Sequence, residues 1–530
     1  MLRLLTAMKC ALATIVLPFL VAAGLHAQEG ADVVLRAETR VVQVDVTVRN
    51  SQGKPVDDLK QSDFTILDNG KARPFTIFSM NRADLDAAQP APEPLPEKPA
   101  LPPNVFSNLS ERPRPAADQH STIVILDGVN GWFESFVWGS KGIQGLMARL
   151  PADEQIAVYV LARHLGLIQL ADYTTDRTKL KKAMAAFIPR ELDPAPVAEP
   201  GSGVDGGGTS EDREAGDSAG CRVSRGKPCP VELKLEIRLA SEQVRLTFSA
   251  LAERLRTLPG RKSVFWVTEG FPPQLIRGNP AWEKTIADLN DANIAINTVD
   301  TDGLGGPQRY WGAGAILTMQ EIAQQTGGKA FFHRNDIDGA LAQGIADSRT
   351  NYTLGFYLGD LDSDYHELKV RVDRPGLELD YRRGYYAQTN AMHDLATRRS
   401  ELESAVINQL DATGVGITAS VEAKGGDFVV HLKLSPESLT LTQRDGEWNG
   451  KIEELFIEKN DAGGELAHVK LERQFGIKAA GKADYDRRGA VLTQSVRAVP
   501  GATKLVIAVR DSVSGRTGSL TAPLHFGAVQ

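Results

Sequence analysis

The sequence predicts an α/β fold, a doubly wound parallel sheet flanked by β-sandwich domains. Three observations carry that expectation. First, short continuous apolar runs end in acids: Thr122 to Leu126 before Asp127, Ser263 to Thr268 before Glu269, and Ile294 to Val299 before Asp300. Such runs are what strands buried on both faces look like, and the carboxyl ends of parallel strands are where ligands bind. Second, helical periodicity fills the gaps between these runs. Third, the texture changes to short alternating strands before residue 80 and after residue 350.

The chain has 530 residues, 42% hydrophobic and 24% charged, with a formal net charge of −7, which argues against nucleic acid as a partner. Residues 1–27 read as a secretory signal peptide. Arg3 and Lys9 give a basic start, Cys10 to Gly24 an apolar stretch, and Leu25-His26-Ala27 a cleavage site. No later run is long and apolar enough to span a membrane. Removing Arg3 and Lys9 takes the net charge from −7 to about −9. Export to the periplasm or the extracellular space is therefore expected.

In Val42 to Val48, valines alternate with Gln43, Asp45 and Thr47, as in a half-buried strand. Phe64 to Leu67 and Phe75 to Phe78 are further strands, with Asp68-Asn69-Gly70 supplying a tight turn. Residues 32–80 thus form a β unit too small to close a core. We expect it to pair with 351–388, whose strands are Tyr352 to Tyr357, His366 to Val372 and Leu377 to Arg382. Residues 81–119 are rich in Pro and Ala and read as a spacer.

The α/β domain is expected over 120–350. After the first strand and a helix to about Leu150 come a strand at Ile156 to Leu161, an edge strand at Leu165 to Leu170, and a helix at Arg177 to Phe187. Residues 190–231 are a Gly- and Pro-rich insert. Cys221 and Cys229 lie in it, eight apart, and are expected to close a small disulfide loop in an oxidising compartment. Leu233, Ile237, Ala240, Val244, Phe248, Leu251, Leu255 and Leu258 repeat at three and four, a long amphipathic helix stopped by Pro259-Gly260. Helices at 281–291, Ile316 to Gln325 and Asp336 to Ser348 alternate with the remaining strands. A helical connector over 389–412 leads to 413–530. Seven or so short strands there suggest an immunoglobulin-like sandwich.

Three segments resemble the exported von Willebrand factor A-related proteins abundant in Acidobacteria. The first is Val44 to Phe78, with Gly53-Lys54-Pro55-Val56, Asp63-Phe64 and Asn69-Gly70. The second holds Ile125-Leu126-Asp127, Thr174-Thr175-Asp176-Arg177 and Glu321 to Gly328. The third runs from Tyr352 to Tyr357 and on through Arg374-Pro375-Gly376 to Tyr381-Arg-Arg-Gly-Tyr385-Tyr386. Together they span about 32–388. The resemblance implies a von Willebrand A fold with strands one and four side by side. It also implies a Mg²⁺ or Mn²⁺ site built from Asp-x-Ser-x-Ser, a loop Thr and an Asp after strand four. Such a metal takes hard oxygen ligands and leaves one position for a partner's acid.

Here Asp127 matches the first ligand, but Val129 and Gly131 stand at the serine positions. Asn130 lies between them with a carbonyl to offer. Glu269 stands where Asp is usual, and Thr209 in the insert is the candidate loop Thr. The site is therefore expected to be degenerate. In the alternative reading, Asp127 caps its turn and Glu269 is solvated. Asp300 and Asp302 add negative charge at the neighbouring strand end. Trp132, Trp138 and Trp311 follow the same loops and are candidates for partner contact, with helix-face packing as the other explanation.

No His-x-x-x-His, Gly-x-Ser-x-Gly or Gly-x-Gly-x-x-Gly occurs where catalysis or dinucleotide binding would need it. The expectation is a non-catalytic interaction or adhesion protein whose partner is another protein or an envelope component. A structural envelope part, or a small-ligand binder or enzyme, are the alternatives.

Overall fold

The computed structural model describes residues 41–82, 101–109, 121–187, 230–304, 314–358, 365–387, 402 and 411–524, apart from 132, 164–165, 257, 259, 445 and 462. The expected signal peptide, the insert with Thr209, Cys221 and Cys229, most of the connector, and Trp132 and Trp311 lie outside these residues.

Four strands open the described chain: β1 (Val41–Asn50), β2 (Phe64–Asp68), β3 (Lys71–Arg73) and β4 (Ile77–Arg82). The Asn69-Gly70 pair has φ values of 47° and 77°, as a two-residue hairpin turn requires. The return strand is the polar β3, not Phe75 to Phe78 as the apolar pattern suggested. The later apolar run, as β4, crosses to the other sheet. β5 (Val105–Ser107) follows. Here the spacer expectation over 81–119 needs correcting. β5 pairs with Thr418 to Ser420, and the Asn108 amide donates to the carbonyls of Ala412 (2.6 Å) and Val415 (2.8 Å). Three residues of β-forming sequence inside a proline-rich tract were too short a signal, and their pairing partner lies some 310 residues away.

The α/β unit then runs β6 (Ser121–Asp127), α1 (Phe133–Leu146), β7 (Ile156–Ala162), β8 (Gly166–Thr174), α2 (Arg177–Ala186), α3 (Pro230–Leu255), β9 (Lys262–Thr268), α4 (Pro280–Asp291), β10 (Ile294–Asp300), α5 (Ala315–Thr326), β11 (Ala330–Phe331) and α6 (Ile337–Arg349). Its sheet order is β11-β10-β9-β6-β7-β8. Only β8 runs antiparallel. Counted within the unit, this is the 3-2-1-4-5-6 order of a doubly wound sheet, with its switch point between β6 and β9. Helices α1, α2 and α6 cover one face through Phe136, Ile143, Leu180 and Leu341. Helices α3, α4 and α5 cover the other through Val244, Phe248, Trp282 and Ile322.

Next come β12 (Thr350–Tyr357), β13 (Tyr365–Val372), β14 (Leu377–Asp380) and β15 (Gly384–Tyr386). They interleave with the first strands in two sheets, β14-β1-β12-β4 and β15-β13-β2-β3. Val44, Val46, Phe64, Tyr352, Leu354 and Tyr385 share the core between them. The α/β unit is therefore inserted between strands of one sandwich.

The last module contains β16 (Ile417–Lys424), β17 (Asp427–Leu434), β18 (Thr442–Arg444), β19 (Glu447–Lys459), β20 (Glu465–Lys478), α7 (Ala479–Arg488), β21 (Ala490–Arg497), β22 (Lys504–Asp511) and β23 (Thr517–Pro523). One sheet is β21-β17-β16-β5. The other is β18-β19-β22-β23, with β20 along the opposite side of β19. α7 is polar and has no counterpart in the strand-only sequence expectation for this region.

Lys262, at the start of β9, is only 2% exposed. Its Nζ donates to the Leu258 carbonyl at 2.9 Å. Burial pushes its pKa down to about 8, against the pull of Asp45. The unfolded chain then binds more protons than the folded one between pH about 8 and about 10.4, so stability from this group rises with pH across that window. The cost at neutral pH is about 3 kcal/mol. Lys262→Met is expected to remove this rise, which thermal melts of both proteins from pH 7 to 10 would read. Equal slopes in the two would contradict it.

Candidate interaction site at the carboxyl ends of the sheet

β6, β9 and β10 end at Asp127, Thr268 and Asp300, on the same edge of the sheet. Asp127 is buried, and its carboxylate is saturated. Oδ1 accepts the backbone N–H groups of Val129 (2.8 Å) and Asn130 (3.0 Å). Oδ2 accepts the Asn130 amide (3.0 Å), the Trp266 indole N–H (3.0 Å) and the Thr268 hydroxyl (2.7 Å). Burial pushes the Asp127 pKa up, and these donors oppose the shift.

Thr268 ties the strand ends together. Its hydroxyl accepts the Gly270 N–H at 2.9 Å while donating to Asp127. Its carbonyl accepts the Thr301 N–H at 3.2 Å. Glu269 is 1% exposed. Its carboxylate lies against Gly131, where a Cβ would meet Oε1 at 2.9 Å, and Gly131 has a φ of 146°. Glycine is therefore favoured there by backbone conformation, and a Cβ would also press on the Glu269 side chain. The expectation of a solvated Glu269 is corrected: the chain after Thr268 folds over the β6 turn and takes the side chain inside. Asp300 is also buried, and its Oδ1 accepts the Asp302 N–H at 3.1 Å. Asp302 is half-buried.

The residues at Asp127 do not fit a cation. Both carboxylate oxygens point at N–H and O–H donors, whereas Mg²⁺ or Mn²⁺ would need oxygen acceptors in their place. Val129 and Gly131 bring no side-chain oxygen. Among the described residues no cluster of three or more His, Cys, Asp or Glu side chains is placed to hold a metal. The Asn130 Oδ1 is buried without a hydrogen-bond partner among the described residues, yet the Asn130 amide N–H₂ is turned toward Asp127.

The segments that follow β6 and β10 carry exposed apolar side chains. Phe133 and Trp138 on α1 are each 47% exposed, Leu304 after β10 is 67% exposed, and Leu317 in the first turn of α5 is 47% exposed. The Lys141 ammonium sits 5.9 Å from the centroid of the Trp138 ring. Gly303 has a φ of 66°, and Leu304 N–H donates to the Asn335 side chain at 2.9 Å, which fixes the loop that presents Leu304.

The sequence reading missed Trp266 and Thr268. A signal for the first was available. A tryptophan in the middle of a strand buried on both faces must find an acceptor for its N–H, and Asp127 and Asp300 at the neighbouring strand ends are the acids to consider.

The sequence matches no family model, and no curated protein matches it. Solved structures offer distant likenesses. An aerotolerance-related membrane protein from Bacteroides fragilis is 13% identical over 43% of this chain and 98% of its own, with a TM-score of 0.26. The BatB protein of Bacteroides thetaiotaomicron is 13% identical over 43% of this chain and 97% of its own, with a TM-score of 0.23. The pilus adhesin SpaC of Lactobacillus rhamnosus GG is 9% identical over 74% of this chain and 54% of its own, with a TM-score of 0.26. Likenesses this weak carry no argument about function. Among the described residues no helix is long and apolar enough to cross a membrane.

Proposed function

We propose that this chain is an exported, non-catalytic interaction protein of the von Willebrand A-related kind. Its α/β unit would bind a protein or envelope partner through the loops at the carboxyl ends of β6, β9 and β10. The observation that carries the reading is that Phe133, Trp138, Leu304 and Leu317, on the segments following β6 and β10, are exposed, while Asp127 has both carboxylate oxygens engaged internally. Large apolar side chains held at the end of a rigid sheet suit a partner's apolar surface. The sheet order and the Asp127 turn support the family reading, with the metal-dependent adhesion site degenerate. Internal donors do there what a cation does elsewhere: they neutralise and orient the acid.

Two measurements test this. Immobilised full chain should retain a partner from envelope or secreted extracts of the source cells, and Phe133→Ala with Leu304→Asp should release it while leaving the melting temperature unchanged. Equal retention by the variant would move the contact elsewhere. In the second, millimolar Mg²⁺ or Mn²⁺ after EDTA should leave the melting temperature where it was. A site filled at 100 times its dissociation constant would add about 2.7 kcal/mol, a shift too large to miss.

A further inference from the structure

β20 is 14 residues long and, among the described residues, pairs only with β19. Its outward edge is a row of backbone donors and acceptors with no strand beside it among the described residues. Edges of this kind are usually blunted by a proline, a bulge or a mid-edge charge. β20 has no proline, and the irregularity in its ladder lies at the hairpin end, between Glu458 and Lys459. Lys470, Glu472 and Arg473 are the mid-edge charges. Val469, Leu471, Phe475 and Ile477 point inward and pack against the sandwich core, while Leu466, His468, Lys470, Glu472 and Gln474 face out.

We propose that β20 pairs antiparallel with β20 of a second copy of this chain, with Leu471 on the twofold axis. Two identical antiparallel neighbours are related by an axis perpendicular to the sheet, so facing residues share a face and the axis passes between the two copies of one residue. An axis at Lys470, Glu472 or Arg473 sets like charges against each other. An axis at Val469 sets His468 against Lys470 and leaves Glu472 opposite Leu466. With Leu471 on the axis, Lys470 faces Glu472 of the second copy and Glu472 faces its Lys470. His468 faces Gln474, and Val469 and Ala467 face Arg473 and Phe475 on the inner side.

The hairpin favours this arrangement electrostatically. Within the chain, Glu472 lies directly opposite Glu453. Lys451 reaches Glu472 at 2.6 Å and Lys470 reaches Glu453 at 3.9 Å. A second copy brings a further lysine to Glu472, whose side chain is 55% exposed. The Arg473–Glu454 ion pair, at 2.9 Å, stays within each chain and closes the interior edge. The mid-edge charges thus disfavour axes at Lys470, Glu472 and Arg473 and favour this long central overlap.

The test is sedimentation equilibrium on the full chain. A concentration-dependent dimer is expected. Lys470→Glu alone, or Glu472→Lys alone, turns two attractive pairs into two repulsive ones and should weaken the dimer by about tenfold or more. The double variant Lys470→Glu/Glu472→Lys restores opposite charges and should recover it. A chain that stays monomeric, a dimer indifferent to either single swap, or a double variant as weak as the singles would each overturn the proposal. Should a swap disturb the fold through Lys451 or Glu453, amide exchange of residues 466–476 in the unaltered chain reads the same edge. Protection there should rise with protein concentration, and protection independent of concentration overturns the pairing.

Discussion

Asp127→Ala lowers the unfolding free energy by about 3–5 kcal/mol, read as a shift of the urea midpoint at unchanged slope. The substitution deletes one acceptor and orphans five donors. They are two backbone N–H groups, the Asn130 amide, the Trp266 indole and the Thr268 hydroxyl. Each buried donor left without a partner costs about 1–3 kcal/mol, and relief of the desolvated carboxylate returns part of the sum. Asp127→Asn is nearly as damaging, because its new N–H₂ would face the three donors now on Oδ2. Thr268→Val removes a single donor and should cost about 1 kcal/mol. If Asp127→Ala melts like the unaltered chain, the acid is not the internal keystone described here, and a solvent or metal role returns to consideration. The distinction matters for function, because a residue that only holds the loops would affect partner binding through stability alone.

Arg349→Ala has a comparable effect for a different reason. Arg349 ends α6, and β12 begins at the next residue, so it stands where the chain leaves the α/β unit and re-enters the first sandwich. Its guanidinium donates to Glu154 Oε2 at 2.8 Å and to Asp153 Oδ2 at 2.7 Å. Glu154 is 4% exposed and also accepts the Thr122 hydroxyl at 2.6 Å. Arg177 braces the same loop through the carbonyls of Pro151 and Glu154, both at 2.8 Å. Removing Arg349 strands a buried carboxylate, which costs about 3–5 kcal/mol at neutral pH.

The pH dependence has a definite sign. The Arg349 guanidinium holds the Asp153 carboxyl below the usual range, and burial pushes Glu154 up. The Asp153 contribution is present above its unfolded pKa and is lost as pH falls through its lowered folded value. The Glu154 burial cost is relieved by the same acidification. The Glu154 part of the gap between Arg349→Ala and the unaltered chain should therefore shrink from neutrality toward pH 4, while the Asp153 part persists until the pH falls below about 3.9. A constant gap from pH 7 to 4 would mean that packing, and not charge, sets the effect. Arg349→Lys keeps the charge without the fork and should fall between the two.

What the sequence determined by itself is local. Thr122 to Leu126 and Ile294 to Val299 announce buried strands because a strand covered on both faces has no polar side. The structure sets them at Ser121–Asp127 and Ile294–Asp300. The three-and-four spacing from Leu233 announces the long helix now placed at Pro230–Leu255, and Gly327, with a φ of 78°, closes α5 just past the helix expected over Ile316 to Gln325. These features depend on neighbours within a few residues, so side-chain pattern and backbone preference are enough.

Tertiary structure decided what depends on distant partners. Nothing near Val105 to Ser107 tells that they join a sheet with Thr418 to Ser420. Nothing near Glu269 says that it lies inside against Gly131. The meaning of Asp127 changed most. As a sequence it resembles the first ligand of a metal site whose two serines are missing. In the fold it is an acceptor for Trp266 and Thr268, brought beside it by the parallel pairing of β6 with β9. Strand register sets which side chains meet across a sheet, and register is a property of the assembled core, not of either strand alone.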